Sequence, residues 1–379
     1  MKVKYPYEFD PGKRKIAKVY SKGRLINFVL GEIITIAILA FLLFSGGNVF
    51  LRELSFQTAY LYANVAIYAF FLVLILTVAE FPLAFYSGYV FEHKYRLSSH
   101  TLKSWLKDFS KATFLLFLIF IFLVTGLYFI IGNFQFWWIL AGVGYFFYLL
   151  LFSHIFPILI FPFFYKTMPY KDERMKKRLL EMAKKAGVKN IKRVLVAKES
   201  EKSKKANAFF GGIGSTKTIV LFDTLVNSFA KREVETVVGH ELGHYVNRDQ
   251  LRLIFFDFVK TFPVLLLIDL VLKNSSGSFG INSISDIAGL PLFLLAYSLI
   301  DLVISPVENG YSRKREALAD LFALNYIRNP EAQISTEKRL ADMNLGDENP
   351  NKVLEFFLYT HPNVSKRIRL AEEWKRRNK

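Results

Sequence analysis

The chain has 379 residues, of which 53% are hydrophobic and 39 are Phe, with no cysteine and a formal net charge of +18. The missing thiols exclude a disulfide framework, a thiolate metal site and cysteine nucleophilic catalysis. A basic surplus in so apolar a chain fits hydrophobic spans joined by basic loops that face anionic lipid. A nucleic-acid surface is the usual alternative, but no recognition motif accompanies the charge, and no nucleotide-binding motif occurs either.

Residues 1–24 are polar and basic, with Lys2, Lys4, Lys13, Arg14, Lys15, Lys18, Lys22 and Arg24 against Glu8 and Asp10. The apolar stretch 25–44 follows. At 1.5 Å per residue it crosses a hydrocarbon core of ~30 Å. No small-residue cleavage pattern comes after it, so it reads as an anchor rather than a removable signal. Five further spans are predicted at 60–85, 112–131, 136–164, 253–272 and 287–307. The predicted organisation is a basic N-terminus (1–24), four spans (25–165) with a basic loop at 86–111, a first extramembrane segment (166–252), two spans (253–307) and a second extramembrane segment (308–379).

The loop after the second span carries His93, Lys94, Arg96, Lys103 and Lys107, and lysines crowd the region after the fourth. The intervening loops at 45–57, 132–135 and 274–286 hold one basic residue, Arg52. The positive-inside rule then puts both termini and the extramembrane segments in the cytoplasm. Glu32, Glu80, His154, Asp257, Lys260, Asp269 and Asp301 fall within spans. Charges facing lipid are costly, so these face one another or a wet interior, and Asp257 and Lys260 are spaced to pair on one helix.

The first extramembrane segment predicts a helix over 170–186 and short β-branched strands over 191–197 and 218–222. The glycines between the strands do not form a phosphate loop, since no Gly-Lys-Ser/Thr occurs and a strand follows them. Asn207, Ala208, Phe209, Phe210 and Gly211 are the candidate sheet edge to which an extended substrate could add as a strand; a glycine-rich hairpin is the alternative.

Next comes His240-Glu241-Leu242-Gly243-His244, in a segment with an apolar stripe of Val234, Val237, Val238 and Leu242 at helical spacing. Residues four apart share a helix face, so His240 and His244 can present two imidazoles to one ion. Glu241, at the edge of that face, can take a proton from a water the ion activates. Gly239 and Gly243 are poor helix formers, which implies that another element packs closely there. A catalytic zinc needs a third protein ligand, and Glu316 is the candidate. Asp320, one turn further on, can accept the free ring N–H of a ligating histidine. The alternative is that Glu316 and Asp320 are solvent-facing charges of an amphipathic helix. Near the C-terminus, His361 and Arg367 could donate to a developing oxyanion, unless His361 is simply a turn residue before Pro362.

Taken together, the chain resembles the integral-membrane zinc metalloproteases of the CAAX prenyl protease 1 family. The resemblance rests on Phe91-Glu92-His93-Lys94-Tyr95-Arg96-Leu97 with Thr101 and Trp105, on 207–211 and 218–225, on the His-Glu-x-x-His run, on Glu316 with Asp320, and on His361-Pro362 with Arg367. It implies a mainly α-helical membrane barrel around an aqueous chamber, with an α+β metallopeptidase domain at its cytoplasmic mouth. It implies one zinc ion held by His240, His244 and Glu316, Glu241 as general base, Asp320 behind a ligand, and His361 and Arg367 near the transition state. Six spans are counted where the eukaryotic members have seven. The expected activity is endoproteolysis of peptides with a prenylated or hydrophobic C-terminus. Heat-shock membrane proteases share the zinc motif and suggest membrane-protein quality control instead. A transporter would leave the motif idle, and a catalytically silent scaffold would retain the fold and could bind zinc.

Overall fold

A computed structural model describes residues 3–188, 191, 193–211 and 217–378. The hairpin reading of the glycines at 212–216 lies outside the described residues. Helix α1 (Pro11–Phe44) starts where Asp10 accepts the N–H groups of Gly12 and Lys13 and proline takes the first helical position. It is followed by α2 (Gly47–Ser55) and α3 (Leu61–Phe85), which continues through a π-helical segment, Tyr86–Phe91, into α4 (Glu92–Lys94). Thr101 caps α5 (Leu102–Asn133). Helix α6 (Trp137–Ile155) passes through a second π segment, Phe156–Ile160, into α7 (Phe161–Phe164). Pro157 and Pro162 lie in that stretch, and each removes an amide from the helical ladder there.

Five helical stretches, Pro11–Phe44, Leu61–Lys94, Leu102–Asn133, Trp137–Phe164 and Ile287–Ile327, are long and apolar enough to cross a bilayer. The sixth expected span falls in α11 (Asp249–Asn274), which is more polar because it carries Asp257, Lys260 and Asp269. Helices α1, α3, α5, α6, α11 and α12 (Leu290–Ile327) pack in that order, each on the next, and α12 returns to α1. Six helices therefore close a ring without a seventh. At one end α2 seals the seam, with Asn48 Nδ2 donating to the carbonyls of Phe279 (2.9 Å) and Ala288 (3.1 Å), and Arg52 paired with Asp286.

The ionisable groups on α11 are paired rather than bare. Lys260 lies 2.6 Å from Glu308 of α12 and 3.3 Å from Asp257, the partner its spacing predicts. Asp269 accepts from the buried indole of Trp137 (2.7 Å) and from Lys273 (2.6 Å). Two ring contacts are thereby made by hydrogen bonds that hydrocarbon leaves strong.

The extramembrane part contains β1 (Thr167–Pro169), α8 (Glu173–Lys185), β2 (Arg193–Ala197), β3 (Ala208–Gly211), β4 (Thr218–Phe222), α9 (Asp223–Ser228) and α10 (Lys231–Val246). After the last span come α13 (Pro330–Asn344), α14 (Lys352–Leu358) and α15 (Val364–Arg377). The sheet order is β1-β2-β4-β3; β2 runs parallel to β4, and β3 is an edge strand antiparallel to it, with Ala208 opposite Leu221. Leu179, Leu221, Val238 and Leu242 meet in the core between sheet and helices. Val234, Val238 and Leu242 turn inward at four-residue spacing, whereas Val237 is only partly buried.

Element boundaries shift from those expected. Residues 11–24 belong to α1 and 102–111 to α5, and α12 does not stop near 307 but runs on to Ile327. The helix runs on through Gly310 without a break, so one rod carries both the last span and the proposed third ligand.

Candidate metal centre

Helices α10 and α12 cross at the glycines. A Cβ on Gly243 would lie 2.9 Å from Ala319 Cα and 3.0 Å from its carbonyl oxygen, and one on Gly239 would meet Ile327 Cδ1 at 2.5 Å. The missing side chains let α10 approach α12 closely enough for Glu316 to reach the histidines. The N-terminus of α10 is capped by Glu233, whose Oε2 accepts the Ala230 N–H at 2.7 Å.

His240 Nε2 and His244 Nε2 are 3.0 Å apart. Glu316 Oε2 lies 3.3 Å from the first and Oε1 3.4 Å from the second. The three side chains form the one group of ligand atoms fit to hold a metal ion among the described residues. A chemical test supports the fit. His240 Nδ1 lies 2.8 Å from Asp320 Oδ1, and His244 Nδ1 lies 2.9 Å from Asp249 Oδ2. Carboxylates accept, so each imidazole carries its proton on Nδ1 and turns an Nε2 lone pair inward. Two nitrogen lone pairs and a buried Glu316 oxygen without a hydrogen-bond partner then converge, an arrangement that calls for positive charge at its centre, from an ion or a proton.

Charge around the cluster points the same way. Glu241, Glu316, Asp320, Asp249 and Glu337 face two guanidinium groups, Arg315 and Arg367. Burial opposes charge on His240, but the Asp320 and Glu316 carboxylates outweigh it and lift the ring to about 10. Burial would raise Glu316, yet its contacts with His240 and His244 hold it well below the usual carboxylate range. Burial raises the Glu241 carboxyl above its ordinary value, and the two imidazoles offset this only in part.

Further charged groups brace the ligands. Arg367 reaches Asp320 Oδ2 from Nε at 2.7 Å and Glu337 Oε2 from Nη1 at 2.8 Å. Its guanidinium thus stands behind Asp320, shared between two carboxylates. Asp249 accepts Arg315 Nε at 2.5 Å on the oxygen not used by His244. Asp249 and Glu337 were not anticipated from sequence. Asp249 had one cue, its place five residues after His244 at the start of the next helix; Glu337, in Thr336-Glu337-Lys338-Arg339, looks like a solvated charge.

His361 Nε2 sits 3.3 Å from Glu316 Oε1, with 58% of its side chain exposed. Its loop is pinned by Glu355, which takes Asn363 Nδ2 (3.0 Å) and Lys366 (2.8 Å), and by Arg313, which donates to the Glu355 and Tyr359 carbonyls. Among the described residues β3 is an edge strand, with the Asn207 carbonyl just before it accepting the Phe222 N–H. A cavity of about 890 Å³ opens between β3, His244 and Tyr245 on one side and Phe152, Pro157 and Asp257 of the membrane helices on the other.

Comparison with known proteins places this arrangement. Residues 169–375 match Peptidase family M48, and residues 8–166 match the region described as CAAX prenyl protease N-terminal, five membrane helices. The "Uncharacterized metalloprotease YhfN" of Bacillus subtilis is 28% identical over 369 residues, 96% of this chain and 86% of its own. "CAAX prenyl protease 1" of Saccharomyces cerevisiae is 28% identical over 316 residues, 77% of this chain and 68% of its own. The crystal structure of S. mikatae Ste24p superposes with a TM-score of 0.83 at 24% identity, covering 96% of this chain and 89% of that one, which shows a common fold. Two imidazoles and a carboxylate meeting at the end of a helical ring, in a sequence that matches the family over more than half its length, make this chain a multi-pass membrane metallopeptidase of family M48.

Proposed function

We propose that the protein is a zinc endopeptidase that cleaves peptides near a lipidated or hydrophobic C-terminus, as in CAAX processing. The observation that carries this reading is the cavity of about 890 Å³, which reaches from His244 and the β3 edge to apolar walls of the membrane helices. A soluble peptide needs no such wall; a substrate with a greasy tail does.

The backbone of β3, with Asn207 at its start, holds the substrate as an added strand through main-chain hydrogen bonds, while Phe209 and Phe210 contact its side chains. His240, His244 and Glu316 would hold one zinc ion, which would supply Lewis acidity to the attacking water and the scissile carbonyl. The Glu241 carboxylate accepts the proton of the attacking water and returns it to the leaving nitrogen. His361, exposed beside Glu316, donates from its ring to the oxygen on which negative charge develops. Asp320 and Asp249 hold the two imidazoles in the tautomer that binds the ion, and Arg367 acts through Asp320 as a positioning residue. The basic loops support a cytoplasmic site and cytoplasmic termini.

Glu241→Gln tests the reading. In detergent it should bind zinc like the wild type yet cleave a quenched farnesylated peptide about 10²–10⁴ times more slowly. Equal cleavage by both proteins would end the protease assignment. Cleavage of an unfolded membrane protein in preference to the farnesylated peptide would move the substrate to the quality-control class.

A further inference from the structure

The first residues of the chain do more than precede a span. Between Lys4 and Arg14 they lie across α13, on residues more than three hundred positions away. Tyr7 N–H donates to Ser335 Oγ (2.7 Å), and the Tyr7 hydroxyl and the Asp10 N–H both donate to Asp342 Oδ2 (2.8 Å each). Arg14 Nε donates to Asp342 Oδ1 (2.6 Å) and Nη1 to the Gly346 carbonyl (2.7 Å). Lys338 pairs with Glu8, and Arg339 donates to the Lys4 carbonyl while its guanidinium lies 4.4 Å from the Tyr7 ring centre.

The same α13 residues reach the metal helix. Ser335 Oγ donates to Glu233 Oε1 at 2.5 Å and Arg339 Nε to Glu233 Oε2 at 3.0 Å. Glu233 is fully buried and is the carboxylate that caps α10 two turns before His240. One residue past Thr336, Glu337 holds Arg367, Arg367 holds Asp320, and Asp320 holds His240. Helix α13 therefore touches the His240 support at both ends. A buried carboxylate that loses one of its partners is costly, so a shift of α13 reaches the site through Glu233 and Glu337 together.

We propose that residues 4–14 are a positioning strap for the metal centre, which seats α13 and through it fixes the cap of α10 and the orientation of His240. None of these residues contacts the metal ligands, and the effect is indirect.

The test uses the full-length protein in detergent with two variants, a deletion of residues 2–9 and Asp342→Asn. Zinc affinity is measured by competition with a chelator, and amide exchange is followed along the chain. Both variants should bind zinc roughly three- to tenfold more weakly, less than the roughly 10- to 100-fold that direct loss of a ligand's supporting partner causes, because the effect is indirect. Exchange should quicken in the first two turns of α10 while α3 and α5 stay at wild-type rates. A synthetic peptide of residues 3–12 added to the deletion should restore both readings, which a general loss of stability would not allow. Should Asp342→Asn fail to fold, Tyr7→Phe removes a single bond to the same carboxylate and should give the same pattern weakly. Wild-type zinc affinity and α10 exchange in the deletion would overturn the proposal, as would faster exchange spread evenly over all helices.

Discussion

Phe122, in the middle of α5, leaves 74% of its surface exposed, whereas Asp320, in the extramembrane part of α12, leaves none and is held by two partners. The two residues stand for two regions built under different rules. In the ring, side chains that face hydrocarbon need only be apolar, because lipid accepts Phe as readily as Leu and demands no particular partner. At the metal centre buried charges are linked in chains: Asp320 holds His240 and Arg367, Asp249 holds His244 and Arg315, and Glu337 holds Arg367. The difference teaches where substitution spreads: a change in the ring stays local, and a change at the α10–α12 crossing travels along ion pairs to the ligands.

Three changes probe this contrast. The largest effect is expected for Asp249→Asn, which keeps the shape beside His244 but leaves Arg315 facing a neutral amide. Zinc affinity, measured by chelator competition, should fall about 10- to 100-fold; an unchanged value would show that Asp249 is incidental. Gly243→Ala should be next. Its Cβ would press on the backbone of Ala319, which has no flexible end to move aside, so destabilisation of about 1–3 kcal/mol is expected in thermal unfolding. Phe122→Leu in the ring is the control, and its change should stay within about 0.5 kcal/mol. A ring substitution as costly as Gly243→Ala would erase the distinction.

Much of the site was legible because its residues fall into short-range patterns. His240 and His244 are one helical turn apart, Glu316 and Asp320 likewise, and the glycines beside the histidines announce a close neighbour that proves to be α12. The β2 and β4 strands were marked by composition, and the candidate edge at 207–211 falls on an edge strand of the sheet. Glu337 was hidden because a Glu beside Lys and Arg on a helix has the signature of a solvated face, and burial depends on what α15 and α12 bring over it. For Arg367, read as a donor to a developing oxyanion, the structure adds two carboxylate partners that no local pattern announced.

Sequence alone determined the membrane character and the His240–His244 pair, since hydropathy and helical periodicity are properties of residues within a few turns of one another, and it offered Glu316 as third ligand beside a solvent-facing alternative. Only tertiary structure decided that six helices close a ring, that α12 carries span and ligand as one rod, and that residues 4–14 reach α13. Those outcomes join positions more than three hundred residues apart, and no local pattern encodes which buried carboxylate a distant donor will find.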